Sequence, residues 1–296
     1  DTVVPQELAE PTHDGVFLTP IEAGANVRAR GEDVRAGRVV LERGRVLRPP
    51  ELGLLASLGF PDVWVHGRPR VALLSTGDEV VEPGCPRRSG QIYDANRFTL
   101  HGLVEATGAT ALDLGIVPDL RDVLRQRLLE AADLADVVVT SGGVSVGAHD
   151  LVKAVLADVG GVEFWQVAMQ PGRPLAVGRI GGTLFFGLPG NPVASTLCFL
   201  LFARPALWKL GGRRHLEPVR FVATATEAMR KKPGRREFKR GVLRFGQSGW
   251  QVSTTGPQGS GILSSMVEAN CLIVLDESRG DVAPGEPVTV EPLGDA

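Results

Sequence analysis

The rhythm of apolar and polar positions changes twice along this chain. Up to residue 65, short Val-rich pieces ("TVV", "GVFL", "RAGRVVLERGRVL") are interrupted by Gly, Asp and Arg. That texture predicts short strands, with one helix in "PPELGLLASLGF". Between 66 and 212 two periods alternate. "RVALLST" (70–76), "TALDLGIV" (110–117), "DVVVTS" (136–141) and "VEFWQVA" (162–168) are apolar runs of strand length. Between them, "ANRFTLHGLVEATG" (95–108) is helical and closes at Gly108, a C′ residue. "DLRDVLRQRLLEAADL" carries Leu120, Val123, Leu124, Leu128 and Ala131 at helical spacing, and "DLVKAVLADVG" repeats the pattern. This alternation predicts an α/β domain with a doubly wound, mostly parallel sheet and helices on both faces. From 213 onward, "PVRFVATAT", "REFKRGVLRF", "GWQVSTT", "CLIVLD" and "EPVTVEPL" follow one another as strands with turn residues between them. Three domains are expected: 1–65, β-rich; 66–212, α/β; and 213–296, a small barrel-like β domain.

Composition narrows the class. The 296 residues carry a formal net charge of -2, which gives no general pull toward nucleic acid. No apolar run reaches the roughly 18 to 20 residues needed to cross a bilayer, and no basic-then-apolar leader opens the chain. A cytoplasmic protein acting on small molecules, with no nucleic acid and no membrane, is expected. The chain begins with Asp1 rather than Met, as a fragment or processed product would. Its three cysteines lack metal-ligand spacing, and Cys198 and Cys271 read as buried thiols. The five histidines form no HxxxH or HExxH pattern, so no zinc site is expected. The four tryptophans read as core residues, and the basic run 230–236 reads as a solvated loop that could also face a phosphate.

In open parallel sheets, ligands bind beyond the carboxyl ends of the strands, so four loops matter. In "STGDEVVEPG" (75–84), Thr76 and Gly77 let the backbone approach a ligand, and Asp78 and Glu79 bring two carboxylates. An acid-capped turn explains the same residues. In "TSGGVSVGAHD" (140–150), Gly142, Gly143 and Gly147 uncover backbone N–H groups, and Ser141 and Ser145 add hydroxyls. The loop feeds a helix near Asp150, and such an N-terminus favours an anion. Asp150 fits either a helix cap or a Mg2+ neighbour. In "MQPGRPLAVGR" (169–179), Arg173 beside the Pro171–Gly172 turn offers a donor fork for a tetrahedral oxyanion, or is simply a surface arginine on a hairpin. In "LPGNPVAST" (188–196), Pro192 suits the first helical position, while Gly190 and Asn191 tolerate positive φ. Rigid helix entry and ligand loop stay open alternatives there.

Taken in order, "RVALLSTGDEVVEPG", "GQIYDANR", "LGIVPD", "VVVTSGGVSVGAHD", "VAMQPGRPLAVG" and "FFGLPGNPVAS" closely resemble the molybdopterin molybdenumtransferase family, which includes MoeA and the E domain of gephyrin. "GANVRARGEDVRAG", "GRREFKRGVL" and "QGSGILSSMVEANCLIVL" extend the resemblance over almost the whole chain. It implies a molybdopterin-binding fold and molybdenum insertion: adenylylated molybdopterin and molybdate are the substrates, AMP leaves, and Mg2+ assists. It implies that residues 141–147 cradle the terminal phosphate. Glu79, Asp119 and Asp150 are the implied essential acids, with Asp150 and Glu79 near Mg2+. Thr76, Gly77, Asp78, Asp94 and Asn96 belong to the same implied pocket. Gln170, Pro171, Gly172 and Arg173 flank molybdate, with Pro189, Gly190, Asn191, Pro192 and Ser195. Arg236, Arg240 and Ser265 close the pocket from the C-terminal domain.

Three departures stand out. Many relatives carry lysines where this chain has Gln170 and Arg173, and a serine where it has Ala194, with Ser195 next along. The family also has an N-terminal domain ahead of "DTVVPQE", and in its homodimer that part of one subunit helps complete the other's site. Weak binding or slow turnover of this chain is therefore expected. Two alternatives remain: a molybdopterin adenylyltransferase sharing the "SGG" loop, and a non-catalytic binding or scaffold fragment. The N-terminal "RARGED" segment and the C-terminal β domain argue against the first. The joint presence of Glu79, Asp119 and Asp150 argues against the second.

Overall fold

A computed structural model describes residues 1–143 and 151–294. The chain divides into two units, Asp1–Pro61 and Asp62–Ala296. In the first, β1 (Ala9–Thr12) and β2 (Gly15–Leu18) form an antiparallel hairpin, and α1 (Pro49–Ser57) follows. Two prolines open α1, where a missing N–H costs nothing. The Glu51 carboxylate reaches back to the Arg48 backbone N–H (3.0 Å) and accepts both Arg48 Nη2 (2.9 Å) and Arg45 Nη2 (2.6 Å). The Arg48 bond first and the Arg45 bond second pull the Glu51 carboxyl down to about 2. "GVFL" is β2, but "TVV" and "RAGRVVLERGRVL" form no strands. Gly24, Gly31, Gly37 and Gly44 all take positive φ, and these turns stop the chain before a strand can run.

The second unit starts with β3 (Arg70–Thr76), β4 (Val80–Val81), β5 (Ile92–Tyr93), α2 (Asn96–Ala106), β6 (Thr110–Val117), α3 (Arg121–Leu134) and β7 (Val137–Ser141). It continues with α4 (Leu151–Val159), β8 (Gly160–Gln166), β9 (Met169–Gln170), β10 (Pro174–Ile180) and β11 (Thr183–Leu188). The central sheet has the order β6-β3-β7-β11-β10-β8. Alternate residues of β3 leave on opposite faces. Val71 and Leu73 join a core with Leu100 of α2, whereas Ala72 and Leu74 join one with Leu124 and Leu128 of α3 and Val155 of α4. Helices thus cover both faces, as expected. The sheet itself is mixed rather than mostly parallel: β6–β3, β3–β7 and β7–β11 are parallel, and β11–β10 and β10–β8 are antiparallel. Gly181 and Gly182 alone separate β10 from β11, and so short a link permits only a hairpin.

After β11 come α5 (Pro192–Cys198), a π-helical turn (Phe199–Ala203) and α6 (Arg204–Leu210). Together they make one 19-residue helix with a mean hydropathy of 1.4, long and apolar enough to meet the spanning criterion that the sequence reading found nowhere. Its apolar side is core: Val193, Leu197, Cys198, Phe199 and Leu207 pack against the central sheet cluster.

The last strands are β12 (Phe221–Ala225), β13 (Arg236–Gly246) and β14 (Gly249–Thr254), then α7 (Ser264–Glu268), β15 (Cys271–Leu275) and β16 (Pro287–Pro292). The order β14-β12-β16-β15-β13 is closed by β13 pairing with β14, giving a five-stranded barrel. β9 adds to it, with Met169 opposite Arg236 and Gln170 opposite Glu237. Fully buried Glu291 of β16 accepts Arg204 Nη2 of α6 (2.9 Å) and Arg220 Nη2 (2.9 Å), a second tie between barrel and sheet layer. Cys198 and Cys271 are buried as expected. The tryptophans are not core: Trp64, Trp165 and Trp250 are 103%, 55% and 43% exposed, and half-buried Trp208 lies under Arg204 and Arg213. Trp64 lies between elements, Trp165 is on β8 at the edge of its sheet, and Trp250 is near the start of β14, where its ring meets Phe221 and Phe245. The basic run is not simply solvated either. Lys231 is buried with its Nζ on the Arg279 carbonyl (2.9 Å), because Met229–Val282 pairing pulls this segment inward.

Candidate functional site

Three strand ends of the central sheet and one helix start converge on a cavity of about 110 Å3. β3 brings Ser75 and Thr76, β7 brings Ser141 and then Gly142, the loop after β11 brings Gly190 and Pro192, and α2 begins at Asn96. Asn96 Nδ2 donates to both Ser141 Oγ and the Gly190 carbonyl, each at 2.7 Å. The Gly142 N–H donates to the Leu188 carbonyl (3.1 Å). These bonds register the loops against one another.

The two glycines after β7 have separate reasons. Gly142 takes φ +92°, and a Cβ on it would lie 2.7 Å from the Thr76 carbonyl oxygen. At Gly143 a Cβ would meet Val152 Cγ2 at 2.1 Å. Gly190 and Asn191 do not use positive φ, contrary to expectation; Asn191 is extended at φ -70°, ψ 128°. Pro189 and Pro192 already stiffen the turn. A Cβ on Gly190 would stand 3.9 Å from the Gly142 Cα, an ordinary contact, so neither φ nor space in the chain itself demands glycine there. Several buried hydroxyls in this region have no partner among the described residues: Ser75 Oγ in the cavity wall, Thr140 Oγ1 on β7 and, on α5, Ser195 Oγ and Thr196 Oγ1. A buried unpaired hydroxyl is costly, so such a cluster marks an edge not satisfied by the fold itself.

Acids gather on the same side. Asp78 Oδ1 accepts the Asp119 backbone N–H (3.1 Å), and the Glu79 carboxylate lies against Gly77, where a Cβ would meet its Oε2 at 2.6 Å. Partial desolvation first, then the charges of Asp78 and Glu79, push the Asp119 carboxyl up. Asp94 is different. It lines the cavity but is buried and occupied, accepting the Arg97 backbone N–H (3.1 Å) and Arg97 Nε (2.9 Å). The same guanidinium pairs with Asp113 and Glu82, fixing the start of α2 and hence Asn96. Among the described residues, no three His, Cys, Asp or Glu side chains gather as a metal site. Ser145, Gly147 and Asp150 lie outside the described residues.

The remaining expected residues fall into two groups. Gln170 and Arg173 are exposed on the β9–β10 turn, and Arg173 Nη2 donates to Gln166 Oε1 (2.6 Å). Between them, Gly172 takes φ +102° with Cys198 Sγ 2.8 Å from where a Cβ would be, so this turn is seated on α5. From the barrel, Arg236 pairs with Glu277 (3.3 Å) and Asp276 (3.4 Å). Arg240 is fully buried, with Nε on Ser265 Oγ (2.9 Å) and Nη2 on the Gly259 carbonyl (3.0 Å). Burial without a bonded carboxylate lowers its pKa from the usual arginine range. The next residue, Ser260, uses its carbonyl to accept the Val193 N–H at the start of α5 (3.0 Å). One barrel loop is thereby docked on the loop that carries Gly190.

The motif reading overlooked Ser75, Val80, Ile92, Tyr93 and Ala95, which also line the cavity, and Gln258 and Ser260, which serve the barrel loop. Ile92 and Tyr93 fall within "GQIYDANR", directly before the cavity residues Asp94 and Asn96.

Three sequence-family profiles match along the chain. Residues 1–59 match the MoeA N-terminal region (domain I and II), 72–209 a probable molybdopterin binding domain, and 222–293 the MoeA C-terminal region (domain IV). A molybdopterin molybdenumtransferase of Haemophilus influenzae is 44% identical over 297 residues, covering 99% of this chain and 74% of that protein. The chain belongs to the molybdopterin molybdenumtransferase (MoeA) family. Gephyrin of Dictyostelium discoideum is 33% identical over 334 residues, 99% of this chain and 46% of its own length. The crystal structure of a molybdopterin biosynthesis MoeA protein from Pyrococcus horikoshii superposes with a TM-score of 0.79 at 30% identity, covering 99% of this chain and 72% of that one. In this MoeA-family chain the cavity and the unpartnered hydroxyls fall within the region matched by the molybdopterin-binding profile, and Arg240 and Ser265 within the C-terminal one.

Proposed function

We propose that this chain is a transferase that moves molybdenum from molybdate onto adenylylated molybdopterin and releases AMP. The observation that carries the reading is the convergence of Thr76, Asn96, Ser141, Gly142 and Gly190 on one cavity, with the unpaired Ser75 hydroxyl in its wall. Uncovered backbone and small hydroxyls suit a phosphate, which accepts several hydrogen bonds at once. In this reading Ser141, Gly142 and Gly143 hold the molybdopterin phosphate, together with Ser145 and Gly147.

Mg2+ belongs to the same proposal. Among the described residues Asp78, Glu79 and Asp119 do not converge as a complete metal site, but partial desolvation and then the charges of Asp78 and Glu79 raise the Asp119 pKa, and a hard cation held partly by substrate phosphates would ease that repulsion. Such an ion is commonly held by one or two carboxylates plus substrate phosphates, and Glu79 with Asp150 would fill that role. When bound, Mg2+ polarises the phosphoanhydride linking molybdopterin to AMP. Glu79 and Asp119 stand beside that bond and orient water and ion around it. Gln170, Arg173, the 189–195 loop and Ser195 Oγ form the molybdate side. Arg240 and Ser265 serve it by holding the Gly259–Ser260 loop against α5. A cytoplasmic homodimer, in which a second chain adds to the site, completes the proposal.

The test is an incubation with adenylylated molybdopterin, Mg2+ and molybdate, followed by AMP release and cofactor transfer to an apo-molybdoenzyme. Molybdate-stimulated AMP release is the expected result. Its absence sinks the reading. ATP-dependent adenylylation of molybdopterin would instead favour the adenylyltransferase alternative.

A further inference from the structure

One part of the cavity wall has no task in the chemistry above. Val80, Ile92 and Tyr93 line it, and Ile92 and Tyr93 are 52% and 46% exposed. Tyr93 is held rather than loose. Its backbone is in register with β4, Val81 opposite Tyr93, and its hydroxyl donates to the Cys85 carbonyl (3.2 Å). The Arg87 guanidinium lies over the ring, 5.4 Å from its centroid. The 82–91 loop is itself anchored: Glu82 pairs with Arg97, and Gln91 Oε1 accepts the Arg88 N–H (3.0 Å). A flat ring fixed at its backbone and its hydroxyl, partly covered by a cation and partly open at a cavity wall, is a stacking surface for a planar heterocycle.

We propose that Tyr93, backed by Arg87, forms the subsite for the adenine base of the adenylylated substrate. The inference rests on the proposed molybdenum transfer. The order of groups in that substrate decides which heterocycle goes where. Its two phosphates lie between the adenosine and the pterin dithiolene. With the phosphates at Ser141 and Gly142, the dithiolene must face the molybdate side, towards Gly190 and Pro192. The wall left for the adenosine is Val80, Ile92 and Tyr93. Asn96, bonded to both Ser141 and Gly190, stands on the phosphate and dithiolene side of that division. Tyr93 is thus a binding residue that sets specificity for a purine nucleotide and takes no part in bond breaking.

The sequence contains one tyrosine, which makes the test direct. With ring-13C-labelled tyrosine, the protein gives a single tyrosine ring signal, and AMP is titrated with ribose 5-phosphate as the base-free control. The expected result is a saturable upfield shift with AMP and none with ribose 5-phosphate. Tyr93→Ala should raise the AMP Kd and the KM for adenylylated molybdopterin about tenfold with kcat little changed, and Tyr93→Phe should restore both. An unmoved tyrosine signal at saturating AMP, equal shifts with the base-free control, or no AMP binding overturns the inference. So does an unchanged KM in Tyr93→Ala. Any of these alongside intact molybdate-stimulated AMP release leaves the proposed function standing, whereas loss of that release in the parent protein removes the function itself.

Discussion

The carboxyl edge of the central sheet and the neighbouring barrel both contain buried polar groups, but they treat them oppositely. In the barrel and its ties the buried charged side chains all have protein partners, Arg240 on Ser265 and Gly259, Lys231 on the Arg279 carbonyl and Glu291 on Arg204 and Arg220, and only single Nε atoms of the otherwise paired Arg204 and Arg236 are left without one among the described residues. At the sheet edge Ser75, which lines the cavity, and the nearby Thr140 and Ser195 keep buried hydroxyls unpaired among the described residues, and a Cβ on Gly142 would run into the Thr76 carbonyl. Satisfied groups hold structure, and unsatisfied ones in a cavity are available to a ligand. The contrast assigns recognition to the sheet edge and support to the barrel.

The contrast can be broken at graded points. Arg240→Ala should show the largest effect: it strips partners from Ser265 and Gly259 and leaves a void, costing about 3 kcal/mol in urea unfolding. A variant of unchanged stability with lost activity would move Arg240 from support to recognition. Gly142→Ala comes next. Strain at positive φ and the approach to Thr76 should cost about 2 kcal/mol and most of the turnover, read by unfolding and AMP release together. Asn96→Ala should cut kcat/KM about tenfold through loss of its two hydrogen bonds, with a smaller stability change near 1 kcal/mol.

The smallest effect concerns a satisfied charge outside both regions. Glu51 has a folded pKa of about 2, below the ordinary carboxyl value. Its contribution to α1 is complete above that ordinary value and fades as pH falls towards 2. Hydrogen exchange of α1 amides should therefore rise in acid, and Glu51→Gln should remove that dependence. Equal acid sensitivity in both proteins would show that Glu51 is not its source.

Much of this was legible in the chain, for physical reasons. β3 spans the run read from "RVALLST" because continuous burial leaves a continuous apolar run, and β6 spans "TALDLGIV" although this edge strand is only partly buried and interrupts its apolar run with Asp113 and Gly115. Strand direction was not legible. β10, the one strand of this sheet that runs against its neighbours β11 and β8, has the same apolar texture as the parallel strands, and only the short Gly181–Gly182 link marks the reversal. The glycines of "SGG" announced close backbone approach, and Gly142 and Gly143 show it. Asp94 and Arg240 illustrate the limit. A polar residue in a motif reads the same whether it awaits a ligand or is held by Arg97 or Ser265, since the partner is distant in sequence or simply unseen. Tyr93 hid for the opposite reason, as a single aromatic among acids carries no pattern.

The most direct test of the central claim is Glu79→Gln. Glu79 is exposed, and its carboxylate makes no hydrogen bond or ion pair among the described residues, so the fold asks nothing of its charge. Molybdate-stimulated AMP release by the variant, measured with its thermal unfolding, separates the two roles. The account expects release to fall about 100-fold or more with Tm unchanged. Wild-type release, or a loss of release matched by a fall in Tm, would contradict it.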